Sequence, residues 1–226
     1  MAPRLTPGAR AFARTLAHAV GPAAAFALLA TAIARTHGVP FGIDVAFHAW
    51  SVDHRSASGA ALARLITRSA GGVLPYVAAL YSGWAGCRPA ARTRRKVLTA
   101  VVALLALAGG EWVRGIVMAA LARPRPPLAD WAGPASGYAF PSGHSMTSTL
   151  AAGLLVWAAR WERLPRLARV VAVFGVGWAV AVGASRIYLG MHWPTDVIGG
   201  WLLAAAWLTL VVPPIAAVAD RWVPRN

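Results

Sequence analysis

The chain has 226 residues, 58% of them hydrophobic and 13% charged, with 22 Lys plus Arg against 7 Asp plus Glu and a formal charge of +15. So basic a balance suggests a nucleic-acid partner, but a mean hydropathy of +0.56 argues against a soluble nucleic-acid binder, against disorder and against a soluble globular enzyme. The single cysteine, Cys87, allows no intrachain disulfide.

A bilayer core of roughly 30 Å takes about 20 helical residues to cross. Windows of that kind occur six times. Thr15–Ala34 carries no formal charge and follows a basic segment, 1–14. Its end, Ala32-Ile33-Ala34, also resembles a signal-peptide cleavage site, but the apolar stretch is longer than a usual signal core, so a retained helix is expected. An external loop follows over 35–68, in which Ile43, Phe47 and Trp50 recur at i, i+4, i+7 beside Asp44, His48, Asp53 and His54. That pattern predicts a short amphipathic helix in the outer interface, with His48 and His54 as surface residues rather than ligands. Ser69–Cys87 is uncharged, and Val97–Ala122 is apolar apart from Glu111 and Arg114. Tyr138–Ala159 opens with a polar stretch. Val170–Ser185 is shorter, and Val197–Ala219 is long and uncharged. The prediction is an all-α, single-domain bundle of six transmembrane helices over 1–226.

Sidedness follows from the basic residues. With six spans, one face holds Arg4, Arg10 and Arg14, then Arg88, Arg92, Arg94, Arg95 and Lys96, then Arg160, Arg163, Arg166 and Arg169, then Arg221 and Arg225. These are 14 of the 22. Both termini are therefore expected in the cytoplasm, and an absent transit peptide suits a bacterial plasma membrane. Trp84, Trp131, Trp157, Trp193 and Trp222 fall near span ends, as an interfacial belt would place them.

Polar groups avoid lipid, so their clustering at span ends is informative. Arg123-Pro124-Arg125-Pro126 ends the third window, Pro141-Ser142-Gly143-His144 opens the fourth, and Ser185-Arg186 leads through His192 to Asp196 at the start of the sixth. The topology puts all three clusters on the outer face. Their chemistry suits phosphate: arginine forks match phosphate oxygens, and a helix start at Ser142 and Gly143 offers free N–H groups to an anion. His192 and Asp196 are four apart, so the carboxylate can orient the imidazole, and His144 is a second histidine for acid–base work.

Arg125-Pro126, Pro141-Ser142-Gly143-His144 and Ser185-Arg186-x5-His192-x3-Asp196 resemble the tripartite signature of type 2 phosphatidic acid phosphatases, the PAP2 or lipid phosphate phosphatase superfamily, which vanadium haloperoxidases share. The resemblance implies phosphate-ester hydrolysis through a phosphohistidine, with no metal and no cofactor. His192 would be nucleophile, Asp196 its orienting partner and His144 the acid and then the base. Arg125, Ser142, Gly143 and Arg186 would hold the phosphate. The implied substrate is a lipid phosphate or diphosphate: polyprenyl diphosphate, phosphatidic acid, phosphatidylglycerol phosphate or a polyprenyl-phosphosugar phosphate. The bilayer is then the partner, nucleic acid is not, and oligomeric state is not legible.

One departure matters: the family pattern has a lysine where this chain has Met118. Arg114, a helical turn earlier, is the expected replacement, with Glu111 its ion-pair partner or a purely structural one; Arg123 is a second candidate. The alternatives are a weakened or inactive member of the family, or a non-enzymatic transporter.

Overall fold

The computed structural model describes residues 7–161 and 165–220. Arg4, Arg163, Arg221, Arg225, Trp222 and the start of the 1–14 segment lie outside the described residues. Among these residues eight α-helices follow in order: α1 (Pro7–Arg35), α2 (Gly42–Asp53), α3 (Ala57–Arg68), α4 (Leu74–Ala85), α5 (Thr93–Leu121), α6 (Gly143–Ala158), α7 (Pro165–Tyr188) and α8 (Pro194–Asp220). No strand occurs among the described residues, so the all-α expectation holds.

The boundaries have local causes. Ser56 caps α3 by accepting the Gly59 N–H at 3.0 Å. Ala122 ends α5 with φ of 45°, in the left-handed region. Pro124 and Pro126 then prevent the helix from resuming. Pro141 excludes a helical start at Tyr138, so α6 begins only at Gly143, behind Ser142. Pro194 sits in the first turn of α8, where its missing N–H costs nothing.

The six expected spans are therefore not equally long. Among the described residues, three helices are long and apolar enough to cross a membrane: α5, the stretch Arg169–Tyr188 of α7, and α8. The apolar part of α1, Val20–Arg35, is shorter. At 12 and 16 residues, α4 and α6 reach only about 18 and 24 Å at the usual helical rise. Apolar composition continues past both helices, but Gly71-Gly72 before α4 and Pro141 before α6 spend it on loop.

The helices pack as a bundle, α1 against α8, α6 against α7 and α8, and α4 against α5 and α6. Leu107, Met146, Leu150, Leu154, Ala204 and Ile215 form the central core. Large apolar side chains on the outside, such as Trp112 at 69% and Phe174 at 72% exposed, are what a bundle in lipid presents. The interfacial belt is only part of the tryptophan pattern. Trp157 and Trp193 are buried, the former in the core and the latter donating to the Pro124 carbonyl at 3.0 Å.

Helix α2 forms where expected and turns Ile43, Phe47 and Trp50 outward. Its opposite stripe, Asp44, His48 and Ser51, is buried. His48 is thus not a surface residue; its Nε2 lies 2.9 Å from Asp130 Oδ2. His54 is exposed as expected.

Close approach of α8 to α6 depends on Gly200. A Cβ there would sit 2.6 Å from the Ser142 carbonyl oxygen and 3.0 Å from Ser145 Cβ. Gly200→Ala should destabilise the protein by about 1–3 kcal/mol, read as a lower melting midpoint in detergent. Gly177, on α7, has nothing within 4 Å of its would-be Cβ, so Gly177→Ala should leave the midpoint unchanged or raise it slightly. Equal midpoints for the two variants would contradict this packing.

Candidate functional site

Three distant chain segments meet at one end of the bundle. The loop from Ala122 to Ser142 crosses it and is pinned from outside: Arg55 Nη1 donates to the Asp130 carbonyl at 2.6 Å, and Arg64 Nη1 to the Ala132 carbonyl at 3.1 Å. The Ser142 N–H donates to the Asp196 carbonyl at 3.0 Å, which joins the start of α6 to the start of α8. Between these elements lies a cleft of about 400 Å³ whose walls include Arg114, Arg125, Gly143, His144, Arg186 and His192. A neighbouring chamber of about 330 Å³ shares Arg114, Gly143 and His144 and adds Tyr76, Glu111 and Thr147.

His192 is buried at the base of the cleft. Its Nε2 lies 2.9 Å from Arg125 Nη1, and its Nδ1 lies 3.4 Å from Asp196 Oδ2. Burial, and then the positive charges of Arg125 and Arg186, push its pKa well below the ordinary histidine value. The imidazole is thereby kept neutral and its lone pair available. Asp196 Oδ2 also accepts the Trp193 N–H at 2.9 Å, which fixes the carboxylate against the turn that carries His192.

Arg125 is stretched across the cleft by carbonyls: Nε donates to Gly137 at 2.9 Å, Nη2 to Ser136 at 2.8 Å and Nη1 to Met191 at 2.8 Å. Burial lowers its pKa, a sign of a cation held partly out of water. Arg186 is 3% exposed. Its Nη1 meets Thr67 Oγ1 at 3.2 Å, while its buried Nε has no partner. A buried guanidinium with an unused donor at the wall of a cleft is suited to an anion. Gly143 and His144 open α6 at that same wall, where backbone N–H groups and the helix dipole add to the positive field.

Most of the sequence-derived site thus converges: His144, His192, Asp196, Arg125, Gly143 and Arg186 come together from three segments. Ser142 is fully buried behind Gly143, its Oγ accepting from Ser145 Oγ at 3.0 Å, and does not line the cleft. Two expectations are corrected. Glu111 makes no ion pair with Arg114; it accepts hydroxyl donors from Tyr76 at 2.5 Å and Thr147 at 2.6 Å. Arg123 is no lysine replacement, because it is 0% exposed and turned away from the cleft, donating to Asp196 Oδ1 at 2.6 Å and Asp44 Oδ2 at 2.7 Å. Arg114 does line the cleft. Its Nη1 lies 3.3 Å from Met118 Sδ, and its Cζ 3.3 Å from where a Cβ on Gly143 would sit. Asp44 went unread as a site neighbour, although Asp44, His48 and Ser51 repeat the i, i+4, i+7 stripe of the apolar face on the other side of α2.

Comparison with known proteins gives the family. Residues 99–217 match the family model of the PAP2 superfamily, and the chain belongs to that family. It is 40% identical over 75 residues to an undecaprenyl-diphosphatase of Sulfolobus acidocaldarius, covering 33% of this chain and 32% of that protein. It is 43% identical over 75 residues to phosphatidylglycerophosphatase B of Escherichia coli, covering 31% and 26%. The matches thus span about a third or less of these curated relatives. A solved transmembrane PAP2 type phosphatidylglycerolphosphate phosphatase from Bacillus subtilis superposes with a TM-score of 0.71 at 26% identity, over 87% of this chain and 94% of that one. With its long apolar helices, the protein is an integral membrane protein.

Proposed function

We propose that this protein hydrolyses the phosphate monoester or diphosphate of a membrane lipid through a phosphohistidine on His192. The observation that carries the reading is the meeting of two histidines, one oriented by a carboxylate, with Arg114, Arg125, Arg186 and the start of α6 in a single cleft. His192 Nε2 attacks phosphorus as the ester P–O bond breaks, and His144 gives a proton to the departing lipid oxygen. A bound phosphate dianion supplies the negative charge that lets His144 hold that proton among three arginines. Neutral His144 then takes a proton from water, whose oxygen attacks phosphorus. The P–N bond breaks, and inorganic phosphate leaves with His192 free. Nε2 faces Arg125, so the transferred group lands on that guanidinium, while Arg186 and the Gly143 N–H reach its other oxygens.

The positive charge that phosphoryl transfer needs comes, on this reading, from arginines and a helix terminus, and no metal is required. α1 and α4 to α8 are the six membrane-crossing elements, in a bacterial plasma membrane, with both termini cytoplasmic. The site faces the outside: the basic run Arg88–Lys96 stands at the opposite end of α5, whose 29 residues separate the two by about 43 Å. Tails in lipid and a phosphate at the interface suit polyprenyl diphosphate, phosphatidylglycerol phosphate, phosphatidic acid and polyprenyl-phosphosugar phosphate.

The test is phosphate release from these four lipids by purified protein in detergent. At least one should be hydrolysed, at a rate unchanged by EDTA. Release that EDTA abolishes, or none from any of the four, would refute the proposal.

A further inference from the structure

The buried stripe of α2 carries a charge that the reaction above does not use. Asp44 is 0% exposed and lies outside residues 99–217, which the family model covers. Its Oδ2 accepts from Arg123 Nη2 at 2.7 Å. Arg123 Nη1 reaches Asp196 Oδ1 at 2.6 Å and Thr195 Oγ1 at 2.7 Å. Asp44 also accepts the Thr195 N–H at 3.0 Å and the Phe41 N–H at 3.1 Å. The result is a buried string, Asp44–Arg123–Asp196–His192, running from the extramembrane helix to the nucleophile.

Its charges do not cancel. Two carboxylates share one guanidinium, so with both ionised the string is one unit negative. Arg123 alone would neutralise Asp196 and leave nothing to balance the positive charge that His192 acquires when its Nε2 takes a phosphoryl group. Asp44 takes up one side of the guanidinium and so leaves Asp196 a net negative neighbour of Nδ1. Among side chains this deeply buried such a difference is weakly screened.

We propose that Asp44 is a positioning residue for phosphoenzyme formation, acting through Arg123 to hold Asp196 in place and to keep its charge available to His192. The inference rests on the reading of His192 as nucleophile. A merely structural bolt between α2 and α8 would use the same contacts, so the test must separate charge from anchoring.

Asp44→Asn keeps shape and removes the charge. With the lipid substrate that wild type hydrolyses, kcat and the rate of phosphoenzyme formation should fall by about 10–100-fold, by analogy with loss of the group behind a metal-bound histidine. KM should be unchanged, because the cleft's arginines are untouched. Asp44→Asn/Arg123→Gln removes one charge of each sign and returns the net negative charge to Asp196. Its kcat should therefore exceed that of Asp44→Asn by at least about fivefold, a sign of coupling that independent structural damage would not give. If Asp44→Asn does not fold, the double variant, which removes the Arg123 donor from beside the new amide, still decides: a kcat within about tenfold of wild type supports the proposal, and a larger fall overturns it. A single-variant kcat within twofold of wild type overturns it, and so does a double variant no better than the single one. A wild type inactive on all four lipids removes the phosphatase reading itself, and this inference with it.

Discussion

Replacing His192 with alanine should abolish phosphate release and the covalent phosphoenzyme together, whereas replacing His144 should slow release and leave the phosphoenzyme in place. The two histidines lie in one cleft but hold different posts. His192 is buried, faces Arg125 with Nε2 and has Asp196 behind Nδ1; His144 stands at the start of α6, on the wall shared by the cleft and the neighbouring chamber. Loss of a nucleophile removes the route, and the expected fall is at least about 10⁴-fold. Loss of an acid–base group costs about 10²–10⁴-fold. A diphosphate substrate, whose departing group is itself a phosphate, depends less on protonation than an alcohol does. With such a substrate His144→Ala should accumulate a label on the protein that is stable to alkali and labile to acid, as a phosphoramidate is. The measurement is label per mole of protein after rapid quench. Label in His192→Ala equal to wild type would place the nucleophile elsewhere. Because burial and two arginines hold the His192 pKa well below the ordinary histidine value, its protonation should produce no loss of phosphoenzyme formation as pH falls through about 6.5, where an ordinary histidine takes up its proton.

The local geometry of the candidate site was legible where each piece is short in sequence. Pro141-Ser142-Gly143-His144 states a helix start with a histidine in its first turn, and His192-x3-Asp196 states one face of a turn entering α8. Both appear as read. What sequence could not state is direction over long separations. Arg123 and Arg125 look alike in an Arg-Pro-Arg-Pro run, yet Arg125 spans the cleft while Arg123 is drawn to Asp44, far back in the chain. Glu111 and Arg114, spaced for an ion pair, separate because Tyr76 and Thr147, on α4 and α6, give Glu111 closer donors. Span lengths failed for a related reason. Hydropathy counts residues that would dissolve in lipid and is blind to where the chain leaves the helix, so the loop built at Tyr138–Ser142 was counted as membrane.

The departure at Met118 leads to the second large effect. Arg114→Ala should lower kcat by about 10²–10³-fold, the cost of one lost charge-stabilising donor, and Met118→Lys in that background should recover most of it. On α5 the two positions are one turn apart on the same face, and both line the cleft. Met118 offers the cleft only a thioether, against which Arg114 Nη1 rests at 3.3 Å. The longer arginine thus starts deeper and ends at Gly143, beside the backbone that opens α6. A cation set there adds to the positive charge that Arg125 and Arg186 bring to the same cleft. Met118→Lys alone brings two cations together in a cleft that already holds Arg125 and Arg186, so it should gain nothing and cost a few-fold. The pattern that matters is reciprocal: arginine at 114 or lysine at 118 suffices, and neither does not. If Arg114→Ala keeps wild-type kcat, the substitution of one basic residue for the other is wrong, and three positive groups (Arg125, Arg186 and the α6 terminus) are enough for this cleft.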